Sequence, residues 1–174
     1  MRPTGVRAVA ADDCDALGLI TVAASFKTFL GQIPEAQLDL TWTPGDSAQG
    51  WRRSLAELAT SDLFDVYDDA ELGVIGFVWA GPSDRVPGAG EIRGLYVLPT
   101  QQGRGIGRRL LAHAAGQLHD RSLDAVVVGC IRENPSCAFY RHLGGVESFT
   151  EPSTVDEFET EEVFFVWSDI TKLI

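Results

Sequence analysis

Histidine and cysteine are scarce in this chain, three of each among 174 residues. Cys14, Cys130 and Cys137 are odd in number, match no zinc-ligand spacing and have no histidine cluster beside them, so no metal is expected and buried inert thiols are. No apolar run approaches the ~18 residues of a membrane span, so no membrane partner is expected. Met1-Arg2-Pro3-Thr4 lacks the apolar stretch of a secretion signal, which leaves the cytoplasm as the expected compartment. There is also no repeat, no low-complexity tract and no linker long enough to separate domains. Residues 1–174 therefore read as one domain with one sizeable core.

Positive charge is in short supply, and the net charge is −11. Residues 93 to 141 nevertheless hold seven of the 14 basic residues, all arginine, against Asp120, Asp124 and Glu133. That stretch is +4 and the remainder −15. So acidic a protein is a poor partner for nucleic acid. A basic island in acidic surroundings reads as a local anion site. The acids elsewhere read as solvation, or as an attraction for something cationic.

Hydrophobic periodicity places the elements. Val6 to Val9 is a short strand, and Asp12 or Asp13 caps a helix with Leu19, Val22, Ala23, Phe26 and Leu30 on one face, ended by Gly31 and Pro34. A second helix runs from about Asp46 to Thr60 with Trp51, Leu55 and Leu58 inward. Phe64 to Tyr67 is a strand, Asp68-Asp69 a turn, Leu72 to Ala80 a strand, Gly81-Pro82 the start of a loop, and Glu91 to Leu98 another strand. Ile106, Leu110, Leu111, Ala114, Ala115 and Leu118 form a helical stripe, and Ala125 to Val128 is a strand of the kind buried in a parallel sheet. Asn134-Pro135 opens a helix that Gly144-Gly145 stops. Val146 to Thr150 and Val163 to Trp167 pair as a hairpin around the acidic segment EPSTVDEFETEE. The expected fold is a single-domain mixed α/β sheet, β-α-α-β-β-β-α-β-α-β-β, with one parallel crossover.

The segment QGRGIGRRLL, residues 102 to 111, stands where a strand gives way to a helix. The first N–H groups of a helix lack internal partners and carry the positive end of its dipole. Gly103, Gly105 and Gly107 clear side chains from that end, while Arg104, Arg108 and Arg109 add charge. This chemistry suits a pyrophosphate. A dinucleotide fingerprint is disfavoured because the third glycine is out of register, and a P-loop because no Gly-Lys-Ser/Thr follows.

Gln102-Gly103-Arg104-Gly105-Ile106-Gly107 resembles the Q/R-x-x-G-x-G/A motif of the GNAT superfamily of acyl-CoA-dependent N-acyltransferases. Asn134 to Gly144, with Phe139-Tyr140, is similar to that family's second signature, and Glu91 to Val97 to its fourth strand. The likeness is specific from 91 to 145, and the element order extends it over the chain. It implies a fourth and fifth strand that splay apart to admit acetyl-CoA. The amides of Gln102, Gly103, Arg104, Gly105, Ile106, Gly107 and Arg108 would then grip the pyrophosphate. Leu95, Tyr96 and Val97 would bond the pantetheine arm, Asn134 would hold it from the other side, and the Val97 N–H would polarise the thioester carbonyl.

Acyl transfer needs a neutral amine. An alkyl amine is neutral only about once in 2,500 at pH 7, a deficit of roughly 4–5 kcal/mol. Glu91, at the start of the fourth strand, is the base that the resemblance implies, acting through water. Alternation along the strand also lets Arg93 pair with it. Asp68, Asp69 and Glu71 rank below it. Tyr140 is the implied acid for the departing sulfur; the alternative is a core aromatic beside Phe139. Cys130 is a weaker rival nucleophile, since no spacing identifies a histidine for it.

Asp62, Asp65, Asp68, Asp69 and Glu71, with the acids of the final hairpin, would draw in a small cationic amine, beside which Trp42, Trp51 and Phe29 would line a pocket. The expected activity is N-acetyl transfer from acetyl-CoA to such an amine. A protein or peptide acceptor, or a non-catalytic acyl-CoA sensor, are the alternatives, and the family makes a homodimer reasonable.

Overall fold

The computed structural model describes residues 4–174, so Met1 to Pro3, on which the absence of a secretion signal was read, lie outside the described residues. Among the described residues there are seven strands: β1 (Gly5–Ala8), β2 (Leu63–Asp69), β3 (Gly73–Pro82), β4 (Ala89–Val97), β5 (Ala125–Ile131), β6 (Val146–Val155) and β7 (Phe158–Trp167). Four α-helices accompany them: α1 (Cys14–Phe29), α2 (Pro44–Ala56), α3 (Ile106–Asp120) and α4 (Ser136–His142). The chain order is the one the periodicity predicts. The strands form one sheet, β1-β2-β3-β4-β5-β7-β6, in which only the β4–β5 pair is parallel.

The sheet buries both faces. On one, the predicted α3 stripe, Ile106, Leu110, Leu111, Ala114, Ala115 and Leu118, packs against Val78, Ile92, Val97, Val126 and Val128. On the other, α1 and α2 cover Phe64, Val66 and Phe77. The two helices approach closely because Gly18 has no Cβ; one placed there would lie 2.3 Å from the Pro44 carbonyl oxygen. Thr43 and Asp46 form a reciprocal capping box that starts α2 at Pro44, two residues before the expected Asp46.

The inward face of α1 differs from the expected one. Leu17, Ile20, Thr21 and Ala24 are buried together with the expected Val22, whereas Leu19 is 50% exposed and Leu30 lies past the helix end. The helix is apolar almost all round, so periodicity alone left its orientation open. Thr21 decides it: its hydroxyl donates to Leu17 O at 2.8 Å and accepts from the Trp51 indole at 3.0 Å. Asp13 does not cap α1 with its side chain, which instead accepts from the Ala10 N–H and from Arg7. Asp68-Asp69 is strand rather than turn, because Asp68 pairs across to Arg7 on β1 at 2.8 Å. The β6–β7 hairpin runs ten residues a side through the acidic segment, turning at Asp156, where φ is +51°.

One irregularity shapes everything downstream. Trp79 pairs with Gly94 and Ala80 with Ile92, so Arg93 is a one-residue bulge on β4. A bulge bends its strand and sharpens the twist. The parallel ladder with β5 duly stops at Ile92–Val128, and the remaining halves of both strands diverge as the resemblance implies.

Candidate functional site

The divergence leaves strand-edge groups facing a gap. Leu98 N donates to Ile75 O at 2.8 Å, and Tyr96 lies opposite Phe77 two positions back. In an antiparallel pair successive residues alternate direction. Tyr96 therefore turns its backbone to β3, while the N–H groups of Leu95 and Val97 point into the gap. Of the three residues expected to act together, Tyr96 contributes its ring, stacked on Phe77 at 5.0 Å. The Val97 carbonyl accepts from Gln102 Nε2 at 3.1 Å, which ties the glycine segment to the end of β4.

Two clefts meet in this gap, one of about 420 Å³ and one of about 560 Å³, sharing Leu95, Val97, Gln102, Ser136 and Tyr140. The second is floored by Gly103, Gly105 and Gly107. Gly103 and Gly105 hold φ of +76° and +79°, and Gly105 precedes the first residue of α3. The Arg109 N–H is the first to reach back, to Gly105 O at 3.0 Å, so the amides just before it open α3 with no backbone acceptor. Arg108 lines this cleft, and Arg104 is held by Gln101 Oε1. Arg109 is spent elsewhere: it donates to the Tyr67 hydroxyl at 2.9 Å and leaves the basic island one arginine short at this turn.

Across the gap stands α4. Asn134, just before α4, accepts from Ser136 N through Oδ1 at 2.8 Å and lines the first cleft. Tyr140 is buried among Phe139, Phe165 and Trp167, yet lines both clefts. Burial pushes its hydroxyl well above the usual phenol range, so it stays protonated. Cys130 lines the first cleft, but the hydrogen bond with Cys137 and burial push its thiol up, the wrong direction for a nucleophile.

The first cleft is walled by Ser25, Thr28 and Phe29 of α1 and by Thr154, Val155 and Asp156 at the hairpin tip. The tip is pinned down as a roof: Glu157 N donates to Gln37 O at 3.1 Å, and Asp39 N to Asp156 Oδ2 at 2.8 Å. Of the three aromatics expected here, Phe29 lines the cleft, while Trp51 is core, edge-on to Phe64, Phe77 and Trp79. Trp42 does not line it.

The acids fall differently from expectation. Glu91 is 7% exposed and lines neither cleft; its carboxylate accepts from Arg85 at 2.7 Å and Ser83 at 2.9 Å. Arg93 does not pair with it, because the bulge hands Arg93 to Asp62 at 2.6 Å. Asp65 is bound to Gln117, Asp68 to Arg7, and Asp69 to the turn amides of Glu71 and Leu72. These acids hold the β2 region together and do not face the cleft. The carboxylates that do line it are Asp156 and Glu162, both from the acidic segment of the final hairpin expected on the acceptor side, although no motif singles out either one. Among the described residues no group of three or more His, Cys, Asp or Glu is placed to hold a metal ion. No helix among them is long and apolar enough to cross a membrane.

A family model described as the acetyltransferase (GNAT) family matches residues 30–144. The chain is 30% identical over 110 residues to the uncharacterized N-acetyltransferase YuaI of Bacillus subtilis (strain 168), covering 62% of this chain and 64% of that protein. It is 34% identical over 98 residues to the mycothiol acetyltransferase of Tsukamurella paurometabola, covering 49% of this chain and 33% of that one. The match thus spans less than two thirds of the length of either relative. Among solved structures, an N-acetyltransferase from Staphylococcus aureus Mu50 superposes with TM-score 0.70 at 16% identity, over 97% of this chain and 99% of that one. The PaiA N-acetyltransferase of Thermoplasma acidophilum, in complex with coenzyme A, gives TM-score 0.63 at 17% identity, over 93% and 98%.

Proposed function

The chain belongs to the GNAT acetyltransferase family, and from that premise we propose that it moves an acetyl group from acetyl-CoA to the primary amine of a small cationic acceptor. The observation that carries the reading is the shared slot: unpaired N–H groups of Leu95 and Val97, a bare helix start and a buried phenol all open on it.

The residues suit acetyl-CoA. The amides from Gly103 to Arg108 form an anion cradle beside Arg108 and Arg104, with no side chain on the three glycines to block a pyrophosphate. Leu95 and Val97 offer strand-edge partners to the amides of the arm, and Asn134, in the turn before α4, lines the same cleft. Bound there, acetyl-CoA supplies the activated acyl carbon. Val97 N–H is positioned as the donor to the carbonyl oxygen, where charge develops. Tyr140, kept protonated by its burial, gives its proton to the departing sulfur.

The acceptor is small because the hairpin tip closes over the first cleft, and cationic because two carboxylates, Asp156 and Glu162, line it. Its one lining guanidinium, Arg93, is bound to Asp62.

The deciding experiment is the melting temperature with excess acetyl-CoA, with NADH and ATP as controls, followed by a panel of amines and peptides. At 100 times its Kd, acetyl-CoA adds about 2.7 kcal/mol, a rise of roughly 5–10 °C. Tyr140→Phe is expected to keep that rise and lose turnover. A rise without turnover on any acceptor would make the protein a sensor, turnover on peptides alone would replace the small amine, and no rise would sink the reading.

A further inference from the structure

Four glutamates, Glu91, Glu151, Glu161 and Glu162, stand at or near the point where β4, β5, β6 and β7 meet. Three are engaged: Glu91 by Arg85 and Ser83, Glu151 by Arg85, and Glu161 by Arg132. The Glu162 carboxylate accepts no hydrogen bond among the described residues, and Glu162 alone of the four lines the acceptor cleft. The fold keeps a place for it. A Cβ on Gly129 would lie 2.2 Å from Glu162 Oε1, so the absent side chain on β5 is what lets this carboxylate lie across the lip of the splay. Tyr140 lines the same cleft, from α4.

We infer that Glu162 is the proton acceptor for the incoming amine, a role that rests on the acetyltransferase reading above. The carboxylate takes a proton from the acceptor's ammonium, and the electron pair of that N–H bond stays on nitrogen. That pair forms the C–N bond to the acyl carbon. When the C–S bond breaks, its electron pair goes to sulfur, which receives the Tyr140 hydroxyl proton. The second proton shed by nitrogen restores Tyr140 through solvent, and Glu162 releases its own proton to solvent.

Burial raises Glu162 above the usual carboxylate range, opposed by Arg85 and reinforced by Glu151 and Glu91. A raised carboxylate is a stronger base, better matched to an ammonium. The charged or titratable groups around it are Arg85 from the β3–β4 loop, Glu91 and Tyr96 of β4, Cys130 of β5 and Glu151 of β6. Arg85 is fixed among them, shared by Glu91 and Glu151 and lying 5.0 Å over the Phe164 ring. The motif-implied base, Glu91, thereby becomes a residue that positions Arg85.

The test is Glu162→Gln, with Glu161→Gln, an exposed neighbour on the same strand, as control. On the best amine of the panel, Glu162→Gln is expected to lower kcat/KM by roughly 100-fold at neutral pH and abolish the acidic limb of the pH profile. Acetyl-CoA affinity should be retained. Glu162→Asp should keep the limb at a reduced rate. A second readout needs no turnover. A carboxyl whose folded value lies above its unfolded value loses stability as pH rises through that range. Glu162→Gln should therefore melt above wild type at neutral pH and converge with it in acid, and carbon NMR of the free protein should find Glu162 titrating above the other glutamates. An unchanged acidic limb in Glu162→Gln, or a Glu162 titration no higher than theirs, would overturn the base alone. Wild type that binds acetyl-CoA yet acetylates nothing would overturn the enzyme reading, and the base with it.

Discussion

Three glycines around the clefts answer to three different constraints. Gly105 holds φ +79° with open space around its absent Cβ, so only backbone strain requires glycine. At Gly107 a Cβ would meet Phe139 and Val97 at 3.7 and 3.8 Å, an ordinary contact, so alanine fits. Gly129 makes room for a carboxylate. Gly105→Ala is accordingly expected to weaken acetyl-CoA about tenfold, the left-handed alanine costing about 1–2 kcal/mol, whereas Gly107→Ala stays within about twofold. Calorimetric titration distinguishes the two, and equal losses would mean that steric access, not backbone shape, dominates. The glycines of the helix start were legible because their alternation with arginine is a local pattern. Glu162 was not, because its significance lies in Gly129, 33 residues away, and in neighbouring glutamates that are paired while it is not.

At the scale of elements, the decisive feature is the bulge at Arg93. Strand alternation puts Glu91 and Arg93 on one face and allows them to pair. The extra residue broke that alternation, gave Arg93 to Asp62 and left Glu91 to Arg85. No sequence period marks a bulge, because it inserts one residue without altering the local pattern of side chains. The helix α3, by contrast, was read residue for residue, because its stripe has charged flanks; α1, apolar on most sides, offered no such contrast. The divergence beyond the bulge makes a sharp prediction for amide exchange. Leu95 and Val97, paired with β3 but with their N–H groups facing the gap where the β5 ladder has ended, should exchange fast in the free protein and slow by about 100-fold at acetyl-CoA 100 times its Kd. Tyr96, bonded to β3, should be slow in both, and uniform behaviour of the three would contradict the splay.

Across the whole molecule, residues far apart in sequence close the acceptor cleft. The hairpin tip at Asp156 meets the loop at Asp39, 117 positions away, and this roof sets the size of what can enter. Asp156→Gly suits the positive φ of the turn while removing the clamp. Because the lost carboxylate weakens attraction for every cationic amine, it is expected to lower KM several-fold for bulky amines relative to small ones, leave acetyl-CoA affinity unchanged and shift stability by less than about 1 kcal/mol, this pair being exposed. Unaltered size selectivity would show that the roof does not gate the cleft. The sequence by itself determined the order of elements, the bare helix start and the phenol of α4, since these follow from local periodicity, backbone freedom and capping, each expressed within a few residues. Only the tertiary structure decided which carboxylate faces the cleft, which arginine is left for an anion and how large an acceptor fits, because pairing, burial and closure are set by partners that chain order does not place side by side.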